Sequence, residues 1–148
     1  MTPDHPPADE IVDGLMDLVV GLKRRARAGY DGQTLPYPQH AVLKRLENGG
    51  SATTADLARA ELITPQAMGG LVATLEEAGY VARRADAQDA RRRLVRLTPA
   101  GRKILAANRA ARHRWLANLV AEQFDAHEQR TLAAALALLG KLFPPRGS

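Results

Sequence analysis

The chain predicts a mainly α fold carrying one small β-wing, and three observations predict it. Apolar residues recur at helical spacing through most of the 148 residues. The helical stretches are punctuated by capping residues: Thr53, Thr64, Thr98 and Asp125 each stand just ahead of a periodic run. Only the stretch after Gly79 reads differently, as two short strands around an arginine-loaded tip.

The first helix is expected over residues 9–28. Ile11, Val12, Leu15, Leu18, Val19 and Leu22 form a wide apolar stripe, and Lys23, Arg24, Arg25 and Arg27 load its last turns. Cations there complement the negative end of the helix dipole. The second helix is PQHAVLKRLENGG, opened by Pro38, packed by Ala41, Val42, Leu43 and Leu46 and ended by Gly49–Gly50. Thr53 and Asp56 then stand in capping-box spacing, with Asp in place of the usual Glu or Gln. Leu57, Ala58, Leu62 and Ile63 supply a short apolar face, and the chain turns around Leu62–Ile63. The next helix begins at Thr64, whose hydroxyl can accept an orphan amide proton. Pro65 occupies the first helical position, where a missing N–H costs nothing. Met68, Leu71, Val72 and Leu75 share one buried stripe, and Gly79 fits a left-handed stop. Short helix, turn and longer helix is helix-turn-helix order. The outer face of the longer helix is Gln66, Gly70, Ala73, Thr74 and Glu77, flanked by Ala67 and Gly69.

Eight cations lie between Arg83 and Lys103 (Arg83, Arg84, Arg91, Arg92, Arg93, Arg96, Arg102 and Lys103), opposed only by Asp86 and Asp89. Like charges this dense repel one another unless a polyanion neutralises them. Asp89, two residues before Arg91, reads as an orienting partner for one guanidinium. A helix of groove width followed by a basic hairpin makes a winged helix-turn-helix. Read without the preceding helix, the same arginines describe a solvated hairpin with an incidental ion pair.

After the wing, Thr98 caps and Pro99 opens a long helix to about Gln123, with Ile104, Leu105, Trp115, Leu116, Leu119 and Val120 on its apolar side. Asp125 and Glu128 start a last helix bearing Leu132, Leu136, Leu139, Leu142 and Phe143, stopped by Pro144–Pro145. So many leucines outside a small winged unit would leave a large apolar patch on a monomer. A twofold dimer through the terminal helices is expected, with packing of the two ends on each other as the alternative. The expected organisation is a tail at 1–8, an N-terminal dimerisation helix at 9–30, a winged helix-turn-helix domain at 34–98, C-terminal dimerisation helices at 99–143 and a tail at 144–148.

Three segments, 38–50, 53–83 and 89–105, together resemble the MarR family of bacterial transcription regulators. The match is most specific in the wing, where Asp89-x-Arg91 is followed by Leu94-Val95-Arg96-Leu97-Thr98-x-x-Gly101. The resemblance implies a homodimer on a pseudo-palindromic operator, usually repressing nearby genes. In many members a small aromatic or phenolic ligand releases the DNA. Helix face and wing together give the candidate residues for double-stranded DNA: Thr64, Gln66, Gly69, Gly70, Thr74, Arg83, Arg84, Asp89, Arg91, Arg92 and Arg93. Gln66 can pair with adenine N6 and N7, Thr74 can reach a phosphate or a base, and Thr64 can reach a phosphate. An effector pocket in this family lies where dimer helices meet the DNA-binding lobe, which nominates Met16, Tyr37, His40 and Trp115 by segment.

One departure stands out. Gly69 and Gly70 sit mid-helix, where family members often carry polar or basic side chains, and each costs about 1 kcal/mol relative to alanine. Either the backbone approaches DNA closely or adapts on binding, or the glycines are tolerated drift. Fewer side chains then read base edges, so DNA shape and the wing are expected to carry more of the recognition.

Composition bounds the rest. A formal net charge of +5 and an isoelectric point near 10.1 permit a nucleic-acid partner. Without cysteine there are no disulfides, thiolate metal sites or thiol redox sensing. No phosphate-binding or dinucleotide glycine motif and no zinc-protease motif occurs, and His5, His40, His113 and His127 lack zinc-ligand spacing. Neither enzyme activity nor a metal or other cofactor is expected. No apolar run approaches a membrane span, and the acidic, proline-rich start MTPDHPPADE does not read as a signal peptide, so the cytoplasm is the expected compartment. The competing reading is a winged-helix protein–protein interaction module whose arginines meet an acidic partner.

Overall fold

Residues 7–30 and 32–142 are described by the computed structural model of the chain. The expected stop at Pro144–Pro145, Phe143, the tail from 144 and most of the N-terminal tail lie outside them. The element order is α1 (Ala8–Ala28), α2 (Tyr37–Gly49), β1 (Ala52–Thr53), α3 (Thr54–Glu61), α4 (Pro65–Glu77), β2 (Val81–Ala85), β3 (Arg93–Leu97), α5 (Pro99–Gln123) and α6 (Ala126–Leu139). The mainly α class with a small β-wing is what the sequence predicts.

The caps work as their chemistry dictates. Thr53 and Asp56 form a reciprocal capping box at α3, and Asp125 and Glu128 form another at α6. The Ala67 N–H donates to Thr64 Oγ1 at 3.1 Å, and the Gly101 N–H to Thr98 Oγ1 at 3.1 Å. Gly79 takes φ +76°, the left-handed stop expected after α4. Helix α2 begins one residue before Pro38, and α6 ends at Leu139, so Leu142 falls in a turn rather than on the helix.

Three strands form an antiparallel sheet in the order β1-β3-β2. Two of them were legible in sequence. The third, β1, is two residues long, and only its pairing of Ala52 with Val95 and Thr53 with Leu94 makes it a strand. In the wing Val81 pairs with Leu97 and Ala85 with Arg93, which leaves residues 86–92 as the tip.

The core lies wholly in the winged unit and its two flanks. Leu43, Leu46, Leu57, Met68, Val72, Leu75, Val81, Val95 and Leu97 close on one another, joined by Leu35 and by Leu105 of α5. Each fully buried side chain of this size contributes about 1.5–3 kcal/mol. Leu62 departs from expectation. It stands 91% exposed at φ +57°, as the left-handed residue closing α3, where a glycine is the usual occupant. The Ile63 N–H reaches the Ala58 carbonyl at 3.1 Å, and this bond turns the Leu62 side chain outward. Helices α1 and α6 bury no residue at all.

Thr98 and Gly101 explain why the wing ends where it does. The Thr98 hydroxyl donates to the Gly79 carbonyl at 2.6 Å, and its N–H donates to the Tyr80 carbonyl at 3.1 Å. A Cβ on Gly101 would stand 2.1 Å from the Tyr80 carbonyl oxygen. The start of α5 is therefore pressed against the α4–β2 turn at a distance only glycine allows.

Candidate nucleic-acid interface

Helix α4 presents its outer face to solvent. Gln66, Ala67, Gly70, Ala73, Thr74 and Glu77 are exposed, Gly69 is half-buried, and Met68, Val72 and Leu75 are fully buried beneath. The stripe read from sequence holds, with Leu71 half-buried at its edge. Ideal Cβ atoms at Gly69 and Gly70 would meet nothing within 4 Å, so no packing among the described residues calls for glycine there. Two of the polar groups are engaged within the helix. The Thr64 hydroxyl accepts the cap bond, and the Thr74 hydroxyl donates to the Gly70 carbonyl at 3.1 Å. Gln66 keeps its amide free among the described residues.

The wing tip is a hydrogen-bonded turn. The Asp86 N–H donates to the Arg92 carbonyl at 2.9 Å, and the Arg92 N–H to the Asp89 carbonyl at 3.0 Å. Asp86 Oδ1 accepts from the Gln88 N–H and Asp89 Oδ1 from the Arg91 N–H, both at 3.0 Å. This corrects one expectation. Asp89 holds the Arg91 backbone, not its guanidinium, because a carboxylate two residues upstream reaches the nearer amide first. The effect on the tip is still orienting: the backbone is set, and the Arg91 side chain is left without a carboxylate within 4 Å among the described residues.

The arginines divide into two groups. Arg83 Nε lies 3.4 Å from Glu76 of α4. Arg92 lies 3.8 Å from Asp56, at the start of α3, and 3.8 Å from Asp86. Arg84, Arg91, Arg93 and Arg96 are exposed and have no carboxylate partner among the described residues. The Asp56 carboxyl is held below its usual range by hydrogen bonds from Thr53, with Arg59 and Arg92 adding to the effect. Along the sequence the eight cations look alike, because which of them meets a carboxylate from another element is decided by the fold.

The four residues nominated for an effector do not converge on one pocket. Tyr37 and His40 line an open cleft of about 510 Å³ with Lys44, Arg45, Asn48 and Glu61. Trp115 lines another with Ala111, Arg114 and Leu119. Met16 is half exposed on α1. In the first cleft Lys44 is bound to Glu47 at 2.8 Å and Arg45 to Glu61 at 2.6 Å. Burial holds the His40 imidazole below its ordinary value, helped by Arg112, Lys44 and Arg109.

Two features went unread in the sequence. Arg25 lies 5.6 Å from the Trp115 ring centroid, and Tyr30 stacks on the same ring at 5.6 Å. Asn108 is buried to 1%. Its signal was present: it stands on the inward side of α5, between Leu105 and Ala111, where a polar residue must find partners.

A capped helix with a bare, exposed face, set beside an arginine hairpin with unpaired cations, defines a winged helix-turn-helix DNA-binding protein. The comparisons place it further. The MarR family model matches residues 33–92. The HTH-type transcriptional repressor Rv2887 of Mycobacterium tuberculosis is 35% identical over 122 residues, covering 78% of this chain and 88% of that protein. A transcriptional regulator from Pseudomonas aeruginosa is 31% identical, with a TM-score of 0.66, over 96% of this chain and all of that one. A MarR family protein from Bacillus stearothermophilus is 26% identical with a TM-score of 0.60, over 93% and 95% of the two chains. The chain belongs to the MarR family of DNA-binding transcription regulators. Among the described residues no helix is long and apolar enough to cross a membrane.

Proposed function

We propose that the protein is a homodimeric, sequence-specific repressor acting in the cytoplasm on a pseudo-palindromic operator. One observation carries the reading: α4 leaves its outer face bare beside a wing whose Arg84, Arg91 and Arg93 have no carboxylate partner among the described residues. A helix of this size fits the major groove, and unpaired guanidinium groups along a hairpin and at its tip fit phosphate and the minor groove. Gln66 is the base-reading side chain, with Thr64 and Thr74 beside it. Gly69 and Gly70 let the backbone approach the duplex closely. Asp89 sets the tip, and Arg83 and Arg92, each with acidic neighbours, serve phosphate contacts as lesser donors.

The dimer is supported by apolar faces that the single chain does not cover. Ile11, Leu18 and Leu22 of α1 are 49–72% exposed, and Leu132, Leu136 and Leu138 of α6 are 38–67% exposed. Surface of that kind marks an interface. Two copies related by a twofold axis would present two α4 helices to half-sites about one DNA turn apart. Release by a small aromatic or phenolic effector is part of the same reading, with Tyr37 and His40 in one cleft and Trp115 in another as its contacts.

A mobility-shift titration on the DNA flanking its own gene tests the reading. One duplex should be preferred over random DNA, with affinity falling steeply in salt at a slope of about −0.9 per phosphate neutralised. Tight binding to an acidic protein, with no duplex preferred, would instead establish an interaction module.

A further inference from the structure

Asn108 is the one buried polar side chain among the described residues. Its amide is saturated. Oδ1 accepts from the backbone N–H groups of Thr34 at 3.2 Å and Leu35 at 3.3 Å. Nδ2 donates to Thr34 Oγ1 at 2.9 Å and to the Ile104 carbonyl at 3.0 Å. Its own backbone carbonyl accepts from the Tyr30 hydroxyl at 3.1 Å. Every one of these bonds except that to Ile104 reaches Tyr30, Thr34 or Leu35, which lie in the connection from α1 to α2.

Ordering that segment costs backbone entropy, because two of its residues are glycine. Gly29 and Gly32 both have positive φ, at +94° and +79°. Asn108 removes the freedom by tying the segment to the middle of α5. On one side of it, Leu35 and Leu105 are locked into the winged core. On the other, Tyr30 stacks on Trp115, and Arg25 of α1 lies over the same ring. An apolar side chain could fill the volume of Asn108. It could not satisfy the two amide protons of Thr34 and Leu35. The amide therefore selects one path for the linker, and with it one angle between α1 and the winged unit.

We propose that Asn108, assisted by Tyr30, is a positioning residue that sets the distance and rotation between the two DNA-reading lobes. The inference rests on the dimeric operator-binding reading above. It acts on DNA without touching it, because the terminal helices join the two copies and the winged unit holds the groove.

The test uses a duplex selected by the full-length protein from a random library, with derivatives carrying one base pair more or fewer between half-sites. Each such change moves one half-site by about 3.4 Å and turns it by about 35°. The wild-type protein should reject both derivatives. In Asn108→Ala the ratio of affinities, native over altered spacing, should fall roughly fivefold or more. Tyr30→Phe removes one hydrogen bond and keeps the ring stack, so it should shift the ratio the same way by less. Affinity for random duplex and its salt slope should stay unchanged. A variant that merely lowers the folded fraction loses the same factor on every duplex, so an unaltered ratio in both variants overturns the proposal. Should Asn108→Ala not fold, Tyr30→Phe decides alone. A wild-type protein indifferent to spacing also overturns it. Failure to select any duplex would instead bring down the operator-binding reading.

Discussion

Arg91 and Arg83 sit in one wing and differ by a single carboxylate. Arg83 has Glu76 at 3.4 Å, whereas Arg91 has no carboxylate within 4 Å among the described residues. Arg91→Ala should therefore weaken operator binding strongly and make the salt dependence shallower by about 0.9 per lost phosphate contact, with the dimer intact. Arg83→Ala should do less, since its charge is partly offset already. Equal losses in the two variants, measured by mobility shift at several salt concentrations, would refute the division. Gly101 gives a second prediction. A methyl there meets the Tyr80 carbonyl oxygen at 2.1 Å and the Leu97 side chain at 2.7 Å. The backbone oxygen has little room to step aside, so Gly101→Ala should destabilise by about 1–3 kcal/mol, as overpacking does. An unchanged urea midpoint would contradict the packing. Sequence named Gly101 as part of a motif; its reason is a contact between α5 and a turn 21 residues upstream.

At the scale of elements, caps and apolar spacing carried most of the outcome. Thr53, Thr64, Thr98 and Asp125 all cap the helices they precede. These are local bonds, reaching at most three residues, and so they are legible along the chain. Strand β1 and the outward turn of Leu62 were not, because both depend on neighbours. Helix α4 carries the sharpest test. Gly69 and Gly70 have open space where side chains would go. Changing both to alanine should raise stability by about 1 kcal/mol each, read by urea unfolding. Operator affinity should fall at the same time, because the added methyl groups hold the duplex away. Full affinity in the doubly substituted protein would mean that the glycines do nothing for DNA.

For the whole molecule, the decisive observation is where the core stops. It runs from Leu35 through β3 to the first part of α5, and no residue of α1 or α6 is buried. Leu18, 72% exposed, and Leu136, 67% exposed, are the side chains on which the proposed dimer would rest. Leu18→Glu or Leu136→Glu should convert a dimer into monomers in sedimentation equilibrium and abolish binding to the two-half-site duplex. Finding the unaltered protein monomeric at micromolar concentration would remove the dimer and, with it, the operator geometry.

The order of helices, their caps and the basic hairpin follow from the amino-acid sequence alone, because they depend on residues a few positions apart. Tertiary structure decided which arginines are neutralised by Glu76 and Asp56, why Gly101 admits no side chain, and how Asn108 ties a glycine-bearing linker to α5. Each of those contacts joins groups distant in the chain, and only folding fixes the distance between them.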